Sequence, residues 1–209
     1  MLDYFIVFAA SYLIGAVPFG FIIGKCFHKD IRKEGSGNIG ATNVTRVIGK
    51  WWGRLCFFLD FLKGWAPVFV TSCYFSTAET QASGLLLLTA GAATILGHMF
   101  PIYLKFKGGK GISTAAGVAL ALAGWTLLAA GLVWVVVFLI SRYVSLASIL
   151  AAATLPVAAA ALNLWYKPVP CSIQIFFCFI AVVAIYKHRS NIVRLKNGTE
   201  LRFERKKKN

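Results

Sequence analysis

The sequence predicts an all-α integral membrane protein, a seven-helix transmembrane bundle with its N-terminus outside and its C-terminus in the cytoplasm. Three observations predict it. Hydrophobic residues make up 58% of the 209 and charged ones only 14%, more apolar bulk than a water-soluble core of this size needs. The apolar residues gather into six long runs that leave no room for a separate soluble module, so 1–209 reads as one polytopic domain with a basic tail from about 187. The basic residues then fall on one side of those runs.

The runs cover residues 4–24, 53–75, 85–104, 111–140, 144–165 and 169–186. The first does not read as a cleaved signal peptide, because its basic residues follow the apolar stretch; it should stay as a helix. The run 111–140 is too long for one comfortable span and barely enough for two short ones. Charge arbitrates. If it turns near Gly124 into a hairpin, the cytoplasmic segments collect Lys25, Lys29, Arg32, Lys33, Arg46, Lys50, Arg54, Lys105, Lys107, Lys110, Arg142 and nine more in the tail, 20 of the 22 Lys and Arg. Lys63, inside a span, and Lys167 are left over. A single span would put the tail outside, against the positive-inside rule.

The net charge of +15 is thereby a topology signal with attraction to anionic membrane lipids, and it gives no reason to expect nucleic acid as a partner. Cys26, Cys56, Cys73, Cys171 and Cys178 sit in or beside apolar runs without a C-x-x-C pair and read as small buried hydrophobes. No metal or cofactor site is expected. The sequons at Asn43 and Asn197 fall on the cytoplasmic side, where they would not be glycosylated. Asp60 and Lys63, at i and i+3 within the second span, can pair and so lessen the cost of two intramembrane charges.

Three polar clusters interrupt the oily chain on that one side. The first, Gly35-Ser36-Gly37-Asn38-Ile39-Gly40-Ala41-Thr42-Asn43-Val44-Thr45-Arg46, contains a formal G-x-G-x-x-G. A dinucleotide fold needs a preceding strand, and a basic loop between spans stands there instead. What survives is the physics of an anion site: glycines that let backbone amides approach, hydroxyls and amides from Ser36, Asn38, Thr42 and Asn43, and a guanidinium from Arg46. The second, Phe106-Lys107-Gly108-Gly109-Lys110-Gly111 after His98 and Pro101, lacks the Ser or Thr of a nucleotide-binding P-loop but still sets amides and a cation at a helix start near Ile112. The third, Lys187-His188-Arg189-Ser190-Asn191, places His188 and Asn191 on one face if the last helix continues through them. Ser145 and Ser148 add hydroxyls after Arg142. Plain turns, snorkelling lysines and packing serines are the alternatives for single residues, and the grouping argues against them.

In this order the motifs resemble the bacterial acyl-phosphate:glycerol-3-phosphate acyltransferases, the PlsY family. The likeness runs over nearly the whole chain, adding Phe-Phe-Leu-Asp-Phe-Leu-Lys-Gly from Phe57, Gly-His-Met-Phe-Pro from Gly97, Arg-Tyr-Val-Ser-Leu-Ala-Ser from Arg142 and His-Arg-Ser-Asn-Ile from His188. The resemblance implies transfer of a fatty acyl group from acyl phosphate to glycerol 3-phosphate, giving lysophosphatidic acid and phosphate in phospholipid synthesis at the bacterial inner membrane, with the active site toward the cytoplasm. It also implies phosphate binding by Ser36, Thr42, Arg46, Gly108, Gly109, Lys110, His188 and Asn191, joined by Ser148. Gly37, Asn38, Asn43 and His98 complete the candidate set. No cofactor is implied, and the oligomeric state stays open, a monomer being sufficient.

Because acyl phosphate is already activated, direct attack by a glycerol 3-phosphate hydroxyl needs no covalent enzyme intermediate. Ser36 as an acylated nucleophile is the rival scheme. No Asp or Glu in the clusters is an obvious base, which leaves open a substrate-assisted route, also implied by the resemblance, in which the donor phosphate takes the proton. A small-anion transporter would also use glycines and basic residues, but the predicted outer loops, such as 76–84, hold almost no binding chemistry.

Overall fold

In the computed structural model, which describes residues 1–75, 81–165 and 168–203, the described residues form helices joined by turns, with no strand among them. Lys167, most of segment 76–84, expected as an outer loop, and the basic residues Arg205 to Lys208 lie outside the described residues. Five helices are long and apolar enough to cross a membrane, and six spans result if the bent pair at the C-terminal end counts as one. Contacts divide the chain into two compact units, Met1–Leu122 and Ala123–Asn209.

In the first unit the leading apolar run is two helices, α1 (Leu2–Ala16) and α2 (Phe19–Cys26), where the hydropathy alone suggested one. Pro18 explains the break: it has no N–H to donate, and its ring clashes with the carbonyl one turn back. A short α3 (Ala41–Val47) leads into α4 (Lys50–Phe75), followed by α5 (Gln81–Met99), a 3-10 turn at Ile102–Leu104 and the start of α6 (Ile112–Ser141). Glycines set the crossings. A Cβ at Gly15 would meet the Thr94 carbonyl and one at Gly97 the Tyr12 carbonyl, so α1 and α5 touch backbone to backbone. The same holds between α4 and α6, where Gly64 faces the Thr114 carbonyl and Gly117 the Phe61 carbonyl. Small residues at such crossings are what apolar helices use in place of a hydrophobic driving force.

α6 leaves helical geometry at Ala123, where φ is −159° and ψ 79°, beside the Gly124 at which the long run was expected to turn. The thirty residues are thus two helical stretches. In the second unit the remainder of α6 is followed by α7 (Val144–Trp165), α8 (Cys171–Lys187), which packs on α7, and α9 (Arg189–Lys196). The chain bends by 56° between α8 and α9. The condition for His188 and Asn191 to share one helical face, a last helix continuing through both, is therefore not met. His188 sits at φ −97° and ψ 7°, its N–H shared between the Ala184 and Ile185 carbonyls, and the helix ends there. Beyond α9, Gly198 at φ +68° lets the chain reverse, and Phe203 donates its N–H to the Arg142 carbonyl.

Candidate active site

The first motif is a fixed loop built over its own core. Ile39 and Val44 are buried in a cluster with Ile23, Ile31, Cys56 and Leu104, which ties the loop to α2, to α4 and to the turn after α5. Gly35 and Gly37 occupy φ +60° and +70°, a region in which a side chain is strained. Asn43 is the latch. Its Oδ1 accepts the Ser36 N–H at 2.7 Å, and its Nδ2 donates to the carbonyls of Ile31 at 2.8 Å and Glu34 at 3.1 Å. The Asn43 amide, a candidate for phosphate, thus also shapes the loop. Asn38 behaves likewise, its Oδ1 accepting the Gly40 N–H at 2.8 Å in a local turn.

These internal bonds hold Ser36 on an exposed rim, with Thr42 and Arg46 half-buried one helical turn apart on α3. Arg32 is engaged elsewhere: it donates to Asp30 at 2.7 and 2.9 Å and lies over the Phe21 ring. The hydrogen bonds from Arg32 hold the Asp30 carboxyl well below the usual range.

The second motif folds back on the end of α5. Gly109 donates its N–H to the His98 carbonyl at 3.1 Å. A Cβ at Gly108 would run into that same carbonyl, and one at Gly109 into His98 Nε2, so glycine alone permits this approach. Lys110 follows, half-buried, and α6 begins two residues later at Ile112, where the sequence placed a helix start. The His98 ring is buried, its Nδ1 3.1 Å from Thr114 Oγ1 and 3.6 Å from Asp60 Oδ1. The expected pair is present: Lys63 Nζ lies 2.8 Å from Asp60 Oδ1 and donates to the Val17 carbonyl at 2.7 Å.

In the second unit Ser148, His188 and Asn191 are all buried. Ser148 Oγ accepts the Trp134 indole N–H at 3.2 Å. His188 Nδ1 lies 2.8 Å from the Ala184 carbonyl, and since a carbonyl can only accept, Nδ1 carries the proton and Nε2 is the acceptor of the neutral ring. Asn191 Nδ2 donates to Glu200 Oε1 at 2.6 Å.

Glu200 is the residue the sequence reasoning missed. It also accepts from Ser145 Oγ at 2.7 Å and from Arg194 Nε at 2.8 Å. Burial by itself raises its pKa, but the three hydrogen bonds together outweigh that and hold the carboxyl below its ordinary value. The signal available was an acid two residues past an Asn-Gly turn, one of only two, with Glu204, in a tail otherwise rich in Lys and Arg. Among the described residues, no group of three or more His, Cys, Asp and Glu side chains is placed to hold a metal ion.

Fold and site define a class: a membrane protein, helical throughout its described residues, that carries glycine-shaped loops with hydroxyls and single cations. The family model described as glycerol-3-phosphate acyltransferase matches residues 5–198. The glycerol-3-phosphate acyltransferase of Aquifex aeolicus is 44% identical over 200 residues, 96% of this chain and 98% of that one. That of Desulforamulus reducens is 43% identical over 202 residues, 96% of each. A crystal structure of PlsY (YgiH), an integral membrane glycerol 3-phosphate acyltransferase, in its glycerol 3-phosphate form superposes with a TM-score of 0.86 at 41% identity, covering 96% of both chains. Its lysophosphatidic acid form gives 0.83 at the same identity. The chain belongs to the glycerol-3-phosphate acyltransferase family.

Proposed function

We propose that this protein transfers a fatty acyl group from acyl phosphate to glycerol 3-phosphate, producing lysophosphatidic acid and phosphate for phospholipid synthesis. The observation that carries the reading is the 41% identity, over 96% of both chains, to an enzyme solved in its glycerol 3-phosphate form. Arg46 and Lys110 supply cations for phosphate, Ser36 and Thr42 supply hydroxyls, and Gly108 and Gly109 give the backbone its close approach. By the same reading His188, Asn191 and Ser148 contribute phosphate contacts.

The acceptor hydroxyl attacks the acyl carbonyl, the new O–C bond forms as the carbonyl-to-phosphate bond breaks, and the departing phosphate takes the proton. No side-chain base is needed. The two buried carboxylates near these residues support that scheme, because Asp60 is paired with Lys63 and Glu200 already accepts from three donors. Purified protein in detergent or lipid mesophase should release phosphate from acyl phosphate when glycerol 3-phosphate is added. With donor alone it should give neither a stoichiometric burst nor an acyl-Ser36 adduct by intact-protein mass spectrometry. A trapped acyl-serine would replace direct transfer with a covalent route, and absence of turnover would remove the assignment.

The same reading places the chain in the bacterial inner membrane with seven spans, the polar loops and tail in the cytoplasm. The break at Ala123 supports that count, since it splits the thirty-residue α6 where a hairpin would turn. Impermeant thiol reagents on intact cells should label Cys73 and leave a cysteine placed in the tail unlabelled. A tail cysteine labelled from outside overturns the topology.

A further inference from the structure

We propose that Asp60 is a positioning residue for the Gly108-Gly109-Lys110 loop, acting through His98; the inference rests on Lys110 binding substrate phosphate, as above. Asp60 and Lys63 are 2% and 5% exposed inside a membrane-spanning helix, where two charges are costly unless each is well paired. An ion pair serving helix packing alone would end with those two side chains. This one does not. Lys63 reaches back to the Val17 carbonyl, at the break Pro18 makes between α1 and α2. Asp60 reaches forward to His98, its Oδ1 3.6 Å from Nδ1. The Lys63 approach to Oδ1 is ionic and not aligned as a hydrogen bond, which leaves that oxygen with capacity for a donor on the histidine side.

His98 has two working edges. Its Nδ1 edge faces Asp60 and Thr114, and its Nε2 edge abuts Gly109, where a Cβ would collide. A carboxylate on the Nδ1 side favours a proton on that nitrogen, which fixes the ring's orientation and presents Nε2 to the loop. The His98 carbonyl meanwhile holds the Gly109 N–H. The residue is thus the floor on which the loop rests, with Lys110 the next residue along. Asp60 touches no substrate. It sets the histidine that sets the loop that carries the cation.

The test separates packing from positioning. Asp60→Asn/Lys63→Met removes the buried pair while keeping volume, an exchange that is often neutral for stability. We expect it to melt near the wild-type temperature yet lose on the order of tenfold to a hundredfold in acyl transfer, the scale of a misplaced reacting group. His98→Asn should lose a similar factor, and combining it with the double variant should add little, because both act through one contact. Hydrogen exchange of the peptide spanning residues 105–110 supplies a readout independent of substrate: its protection should fall in both variants while α4 and α5 stay protected. Recovery of full activity in the double variant, multiplicative losses on combination, or an unchanged loop would each overturn the proposal. If the double variant does not fold, loop exchange in His98→Asn decides alone. Absence of acyl transfer in the wild-type protein would count against the activity, and exchange would still judge the coupling.

Discussion

Lys110→Ala and Arg46→Ala each lose acyl transfer by about tenfold to a hundredfold or more while the protein still inserts and folds. A hydrogen bond to a charged group is worth roughly 1.5–3 kcal/mol, and more is lost if the charge acts mainly on the transition state. Each loop has holds of its own besides these side chains. The first loop is held by Asn43 and by the buried Ile39 and Val44, and the second by the Gly109 contact with His98. Arg46→Lys should keep part of the activity, since the charge remains and the planar two-pronged donor is lost. Steady-state rates on purified variants of matched melting temperature make the measurement. Near-normal rates in both alanine variants would return these cations to the role of membrane-side anchors.

Local periodicity and charge carried much of this molecule into view, and long-range contact hid the rest. The apolar runs located the spans, and length with charge asymmetry located the break in α6 to within one residue of Gly124. The Asp60 and Lys63 pair was readable because i and i+3 on a helix are neighbours. The link from Asp60 to His98 was not readable, since thirty-eight positions separate them and nothing in either segment points to the other. Glu200 was hidden in the same way: its partners Ser145, Asn191 and Arg194 lie on two different helices, and the Asn-Gly turn that brings it back looked like an ordinary tail. The loop-shaping part of Asn43 was not readable, because an amide suits an anion and a loop carbonyl equally well. Which one it serves depends on whether the chain curls around it, and here the chain does. Pro18 was visible all along, and its effect on the first span is local chemistry that hydropathy averages away.

The largest stability effect is expected where α4 crosses the start of α6. Gly64 and Gly117 face each other's helix reciprocally, each so close that a Cβ would strike a carbonyl of the partner helix. Backbone cannot yield as a flexible side-chain tip can, so Gly64→Val must push the helices apart. Forcing extra methyl groups into a packed interior costs typically about 1–3 kcal/mol, and separation here adds the loss of dispersion contacts along the seam. The consequence reaches the site as well, because the carbonyl that Gly64 meets belongs to Thr114, whose Oγ1 sits 3.1 Å from His98 Nδ1. Moving α6 outward would withdraw that support from the histidine beneath the Gly108-Gly109 loop. Gly64→Val and Gly117→Val should therefore lower the detergent melting temperature and reduce acyl transfer in the fraction that stays folded. Gly131→Ala is the control, since open space surrounds its would-be Cβ and alanine suits a helix better than glycine by roughly 0.5–1 kcal/mol. A Gly64→Val protein that melts and turns over like the wild type would mean the two helices do not meet this closely in the membrane.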